Sequence, residues 1–442
     1  MKRLAIKELI QWKSSSDRKP LVLHGARQVG KTYLLKEFGR DHFTCTHYIN
    51  FEKNRQVHSI FESDLDPRRI ITELELFFKT RIDSSHLLLF DEIQECPNAL
   101  TSLKYFCEDA PEYFVCCAGS LLGVRYNEHA SYPVGKTNTL HLYPMNFEEF
   151  CCALGEDRVV ALINEKSRMP FDKISLSEAI HQSIWELVKK YMITGGLPAV
   201  VNHFVKSTNL QAALEGVRRI QTELLSNYLL DIAKHSGKIK AVNIERVFKS
   251  VPSQLAKEQN RYRFTNVIPG RQGFSSLADP IDWLTGAGLV HKTMIANEAS
   301  LPLSAYVKEN MFKLYFFDTG LLGALSEIPP QAMLSYDYGR FKGYFAENFV
   351  VCEFMSAGKI RQLYSWAHGT AEIEFLREIN GKIIPVEVKA GINTKSQSLR
   401  TYISRYNPPT GLILSAMNCS KRGQTIVNLP LYFASKIENF IK

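Results

Sequence analysis

The octapeptide Gly25-Ala26-Arg27-Gln28-Val29-Gly30-Lys31-Thr32 constrains this chain more than any other stretch. It fits GxxxxGK[ST] in full. Apolar Leu21-Val22-Leu23-His24 reads as a strand running into it, and Tyr33-Leu34-Leu35-Lys36-Glu37-Phe38 follows with its apolar groups at helical spacing. Strand, glycine-bent turn and helix in that order curl the backbone so that its N–H groups face an anion. The start of the helix adds positive field at the same point. The pattern implies bound ATP, with Gly25, Ala26, Arg27, Gln28, Val29, Gly30, Lys31 and Thr32 forming the loop. Lys31 would reach the β- and γ-phosphate oxygens, and the Thr32 hydroxyl would ligate Mg²⁺.

A second strand-like run, His86-Leu87-Leu88-Leu89-Phe90, ends in Asp91-Glu92. Metal-assisted phosphoryl transfer needs such a pair: Asp91 to hold Mg²⁺ and Glu92 to orient and deprotonate the attacking water. Phe114-Val115-Cys116-Cys117-Ala118 is a further strand. Ser120 just beyond it stands where ATPases of this sheet type carry a polar γ-phosphate sensor.

From Pro20 to about Leu142 short apolar strands alternate with helical stretches, the mark of an α/β layer, and their continuous apolar character suits a parallel sheet covered on both faces. Residues 151–236 read as mostly helical. Between 237 and 300 short helical patterns lead through Gly286-Ala287-Gly288 into a strand, a pattern suited to a winged-helix module. Residues 301–442 return to mixed helices and strands, with a helix around Tyr344–Met355 and strands at Ile373–Leu376 and Ile383–Val388. A chain of 442 residues is long enough for several domains. Its nine cysteines include no CxxC pair and suit reduced thiols of a cytoplasmic protein. Met1–Glu8 lacks the apolar core of a secretory signal, and no apolar run nears the ~20 residues a spanning helix needs, so no membrane role is expected. A net charge of +9 permits contact with DNA or RNA and equally suits ATP or an acidic protein partner.

The residues also carry a resemblance. The P-loop, Tyr48-Ile49-Asn50-Phe51-Glu52, Asp91-Glu92-Ile93-Gln94-Glu95-Cys96-Pro97, Ala118-Gly119-Ser120 and Pro144-Met145-Asn146-Phe147-Glu148-Glu149-Phe150 belong to it. So do Gly195-Gly196-Leu197-Pro198 and Tyr315-Phe316-Phe317-Asp318-Thr319-Gly320-Leu321. Together they resemble the prokaryotic AAA-superfamily ATPases that carry a nuclease-like C-terminal domain of unknown function. The resemblance implies an ASCE-type sheet of order 5-1-4-3-2 in residues 1–150, a helical lid in 151–236, a winged-helix-like segment in 237–300 and a restriction-endonuclease-like α/β domain in 301–442. Where that family carries Gly-Arg, this chain has Gly135-Lys136, a point charge without the planar fork of arginine. Arg125 is a nearby substitute.

In the terminal segment Glu347 falls on the expected helix, Glu374 on one strand and Glu387-Val388-Lys389 on the next. This order resembles the PD-(D/E)XK nuclease core, in which carboxylates at adjacent strand ends hold Mg²⁺ and the lysine positions water. Strand alternation puts Glu387 and Lys389 on one face. Two functions are compatible with the whole. One is a Mg-ATP-hydrolysing switch coupled to a nuclease-like domain that acts on or with nucleic acid. The other is a signalling or interaction ATPase whose terminal domain is an inactive scaffold for a protein partner or a second copy of the chain.

Overall fold

A computed structural model describes residues 1–119, 133–174, 176–236, 238–256, 261–339, 341–358, 360, 362–391 and 396–441. The chain folds as two compact units, Lys2–Tyr143 with Gly286–Gly288, and Pro144–Thr285 with Leu289–Lys442.

The first unit contains α1 (Ile6–Ser14), β1 (Leu21–His24), α2 (Lys31–His42), β2 (Cys45–Asn50), α3 (Pro67–Phe78), β3 (His86–Asp91), α4 (Pro97–Asp109), β4 (Phe114–Ala118) and β5 (Asn138–His141). Its five strands are all parallel, in the order β2-β3-β4-β1-β5, which is the order implied above. Alternation splits the strands between two cores. Val22, Ile49, Leu88, Phe90, Val115 and Cys117 pack with the inner residues of α3 and α4. On the opposite face α2 comes so close that a Cβ on Gly39 would lie 3.2 Å from the Leu87 side chain. The central strands β1, β3 and β4 are therefore buried on both faces, while the edge strand β5 stays partly exposed.

The second unit begins with a helical stretch: α5 (Phe147–Ala153), α6 (Asp157–Ser167), α7 (Glu178–Thr194), α8 (Pro198–Lys206), α9 (Leu210–Ser236), α10 (Lys238–Leu255) and α11 (Ala278–Gly286). β6 (Val290–Ala296) and β7 (Val307–Phe316) form an antiparallel hairpin. Then come α12 (Thr319–Leu325), α13 (Pro330–Leu334), α14 (Phe341–Ser356), β8 (Leu363–His368), β9 (Ala371–Ile379), β10 (Lys382–Lys389), α15 (Gln397–Tyr406), β11 (Gly411–Ser415), β12 (Ser420–Arg422) and β13 (Ile426–Pro430). The eight strands form one mixed sheet, β12-β13-β11-β10-β9-β8-β6-β7. The hairpin crosses residue 300, so strands from either side of that position lie in the same sheet.

Several motif residues of the second unit serve packing. Asn146 caps α5 in a reciprocal box with Glu149, which satisfies two otherwise orphaned N–H groups. The buried Asp318 carboxylate accepts the N–H groups of Gly196 (2.7 Å) and Leu321 (2.8 Å), and a Cβ on Gly195 would lie 2.2 Å from one of its oxygens. The double glycine lets the backbone reach that carboxylate. Arg261-Tyr262-Arg263-Phe264, basic and aromatic in sequence, sends Tyr262 into the core, where its hydroxyl meets that of Ser250 at 2.7 Å.

Candidate functional site

The glycine-bent turn leaves the C-terminal end of β1, as the sequence predicts. Gln28 and Gly30 both have positive φ (64° and 96°), and Gly30 immediately precedes α2. At Gly25 a Cβ would lie 2.2 Å from the Leu142 carbonyl oxygen, so only glycine lets the loop pass there. Lys31 folds back on the turn, donating to the carbonyls of Gly25 (2.8 Å) and Ala26 (2.9 Å). Its ammonium thus lies over the cradle that a polyphosphate would fill.

β3 delivers Asp91 to the same sheet edge. The register Asn50↔Asp91 and Asp91↔Ala118 sets it between the ends of β2 and β4, where ligands of open parallel sheets bind. The Thr32 hydroxyl stands 3.1 Å from both Asp91 oxygens. Asp91 Oδ2 also accepts the Tyr48 hydroxyl at 2.8 Å and the Asn50 amide at 3.4 Å. Burial, together with the adjacent Asp91 carboxylate, pushes the Tyr48 phenol up to about 12, so it stays a donor. The Lys36 ammonium lies 3.6 Å from the centre of the Tyr48 ring. Glu92 follows in a left-handed conformation (φ 51°), and its Oε2 accepts the Gln94 amide at 2.6 Å. A hydroxyl and a carboxylate sharing one point, with an ammonium in the adjacent loop, form a hard-oxygen donor set that fits Mg²⁺ and a triphosphate.

Ser120 and Arg125 lie outside the described residues. Lys136, in the place of the family's arginine, pairs with Glu108 at 2.8 Å. Tyr48 and Asn50 stand in a stretch that carried the resemblance, yet no local pattern assigns them a role; the β2–β3 register reveals one.

A second polar centre lies on the eight-stranded sheet. The β9–β10 register, with Phe375 opposite Val386, brings Glu374 beside Glu387, and Glu347 joins them from α14. Glu387 is almost fully buried and pairs with Lys389 at 2.5 Å. Glu374 accepts the Val388 N–H at 3.2 Å. Burial, Glu387 and Glu347 all raise the Glu374 carboxyl well above the usual range, against the pull of Lys389 and Lys313. Burial also raises Glu387, with Lys389 opposing it.

Sequence reasoning missed three members of this centre. Glu372 forms an ion pair with Lys313 of β7. The Lys313 ammonium also lies 3.8 Å from Glu347 Oε2, and the Tyr315 hydroxyl donates to that same oxygen at 2.6 Å. Burial alone would lower Lys313, but Glu347, Glu372 and Glu374 outweigh it and hold the ammonium well above the ordinary lysine value. The available signal was a lysine and a tyrosine alternating with Phe312, Leu314 and Phe316 in the C-terminal half of β7.

The structure brings Glu347, Glu374, Glu387 and Lys389 together at this centre. Among the described residues no three His, Cys, Asp or Glu side chains converge as metal ligands. The carboxylates are engaged by Lys313, Lys389, Tyr315 and a backbone N–H instead. The described cysteines are all free thiols, and no described helix is long and apolar enough to cross a membrane.

The fold and the loop define the class of the first unit: an AAA-type P-loop ATPase domain. Residues 17–151 match the family model described as an AAA domain. Residues 186–332 and 342–432 match two models described as domains of unknown function, DUF8612 and DUF4143. Among solved structures, the Walker-type ATPase PABY2304 of Pyrococcus abyssi is similar at 14% identity and a TM-score of 0.44, over 73% of this chain and 95% of that one. PH0952 of Pyrococcus horikoshii, a signal-transduction ATPase with a tetratricopeptide repeat sensor, is similar at 15% identity and a TM-score of 0.28, over 82% of this chain and 46% of that one. The Orc1 protein of Aeropyrum pernix, solved in complex with DNA, gives 14% identity and a TM-score of 0.24, over 74% and 92%. No protein with a curated description matches the chain.

Proposed function

We propose that the chain is a Mg-ATP-hydrolysing switch whose nucleotide cycle is coupled to a nuclease-like terminal domain acting on or with nucleic acid. The observation that carries this reading is the Thr32 hydroxyl set 3.1 Å from both Asp91 oxygens beside the Lys31 loop. Thr32 and Asp91 would hold Mg²⁺, which when bound offsets charge on the phosphate oxygens. Lys31 leaves its carbonyl partners for the β- and γ-phosphates, so an internal contact is exchanged for one with the nucleotide. Glu92 turns from Gln94 and takes a proton from the attacking water. Ser120 is assigned to sensing the γ-phosphate. The domain division at 150 and 236 belongs to the same proposal.

Support for the nuclease-like part is topological. Helix α14, the antiparallel meander β8-β9-β10, helix α15, and β11 parallel to β10 follow one another in the order of a PD-(D/E)XK core. The lysine-filled carboxylate centre favours a second reading, in which this domain no longer cleaves and serves as a scaffold.

ATP turnover with and without DNA or RNA separates the two. Lys31→Ala is expected to abolish ATP binding in calorimetry. Glu92→Gln is expected to bind ATP and lose roughly 10²–10⁴-fold in turnover. Wild-type turnover by Glu92→Gln would remove that residue as base. Turnover indifferent to every polynucleotide would favour the scaffold.

A further inference from the structure

The second polar centre takes part of its counter-charge from outside the helix–meander–helix–strand core. Lys313 belongs to β7, at the end of the sheet order and three strands away from β9. Its side chain is only 12% exposed, and its ammonium lies between Glu372 and Glu347. An ammonium gains such a position only where carboxylates offset its lost hydration. Four carboxylates (Glu347, Glu372, Glu374, Glu387) gather around two ammonium groups (Lys313, Lys389). Yet no three of these groups converge as ligands.

We propose that Lys313 is a built-in cation that keeps Glu347 and Glu372 from a divalent metal, holding the terminal centre in a metal-excluding state. The inference rests on the nuclease-like reading of this domain. An ammonium and a divalent ion compete for the same carboxylate oxygens, and the lysine has the advantage of being tethered. Lys389 is not the blocking group. It shares β10 with Glu387 and pairs with it along one strand face, so it stays at the centre whether or not a metal enters. Lys313 arrives on a separate hairpin and a flexible four-carbon stem, so it can leave without unmaking the core.

The test uses the full chain, free of nucleotide, in an Asp91→Asn background that removes the metal-holding carboxylate of the first unit. Mn²⁺ is titrated by calorimetry, with free ion followed by electron paramagnetic resonance. Adding Lys313→Met is expected to raise Mn²⁺ affinity at least tenfold. Lys313→Arg should give no gain, and Glu347→Gln on top of Lys313→Met should cancel it. Equal binding with and without Lys313→Met overturns the inference and leaves the nuclease-like reading standing. No Mn²⁺ bound by either chain overturns both. Because loss of a buried ammonium can unfold a chain, the unaltered protein supplies a second readout. Amine acylation mapped by mass spectrometry should spare Lys313 without metal and modify it at saturating Mn²⁺. Labelling that Mn²⁺ does not change overturns the inference.

Discussion

The two polar centres use the same raw materials, carboxylates and lysines at the ends or faces of strands, and arrive at different states. At the P-loop the single lysine rests on carbonyl oxygens, leaving Asp91 to a hydroxyl, a phenol and an amide. Among the described residues, the hydrogen bonds to that carboxylate, the Glu92 N–H included, come from neutral groups, so a cation can join it without displacing another. On the eight-stranded sheet Glu372 and Glu387 already hold ammonium groups, and Lys313 also lies near Glu347. Readiness for a metal depends less on how many carboxylates gather than on whether their counter-charges are built in.

The largest expected effect breaks the comparison if it fails. Asp91→Asn keeps the shape and removes the charge at the ready centre. Loss of about 3 kcal/mol of transition-state stabilisation, roughly a hundredfold in Mg-dependent ATP turnover, is expected in a steady-state assay. Turnover within a few-fold of the parent would mean that the neutral shell around Asp91 is not a metal site.

Another buried carboxylate sharpens the contrast. Glu353 accepts the Phe147 N–H at 2.8 Å, and the nearby Lys436 ammonium goes to Glu148 instead, at 2.6 Å. Burial raises Glu353 from 4.5 to about 7, against the Phe147 N–H and the Ser435 hydroxyl. Because the folded value is the higher, its contribution to stability is full below about 4.5 and is lost as pH rises through about 7. Glu353→Gln keeps the acceptor and abolishes the titration. It should therefore be more stable than the parent at pH 8, by at most about 3 kcal/mol, with the gap closing toward pH 5 in urea unfolding. An equal gap at both pH values would show that the buried charge is not what costs stability there.

How much of this was legible in the sequence follows the same division. The P-loop is contiguous: its glycines, lysine and threonine lie within eight residues, and local rules for strand, turn and helix suffice to place them. Asp91 and Glu92 mark the end of an apolar run. Tyr48, Asn50 and Lys36 approach Asp91 or its partners only through parallel pairing and helix–sheet packing, which no local pattern encodes. In the terminal unit the Glu387-Val388-Lys389 spacing was readable because strand alternation is local. Lys313 and Tyr315 reach Glu347 through the fold of an eight-stranded sheet. A search for carboxylates followed by lysine passes over a lysine that precedes them on another hairpin. Pro144–Phe150 and Gly195–Pro198 were legible as family motifs, but the structure ties them to packing, through the Asn146–Glu149 box and the Asp318 contact.

The smallest expected effect probes the neutral shell directly. The Tyr48 hydroxyl donates to Asp91 Oδ2 at 2.8 Å, while Lys36 lies over the ring of the same residue. Tyr48→Phe deletes the hydrogen bond and keeps the ring, so packing and the cation contact survive. One hydrogen bond to a charged acceptor at a partly buried site is worth about 1 to 2 kcal/mol. The half-saturating Mg²⁺ concentration for ATP turnover should therefore rise roughly fivefold to thirtyfold, with turnover at saturating Mg²⁺ close to the parent. That split is the informative part: a phenol that only orients Asp91 makes metal harder to hold without changing the reaction once it is held. A fall in saturated turnover with an unmoved Mg²⁺ midpoint would place Tyr48 with the reacting groups, and Asp91 would then owe its orientation to Thr32 and Asn50.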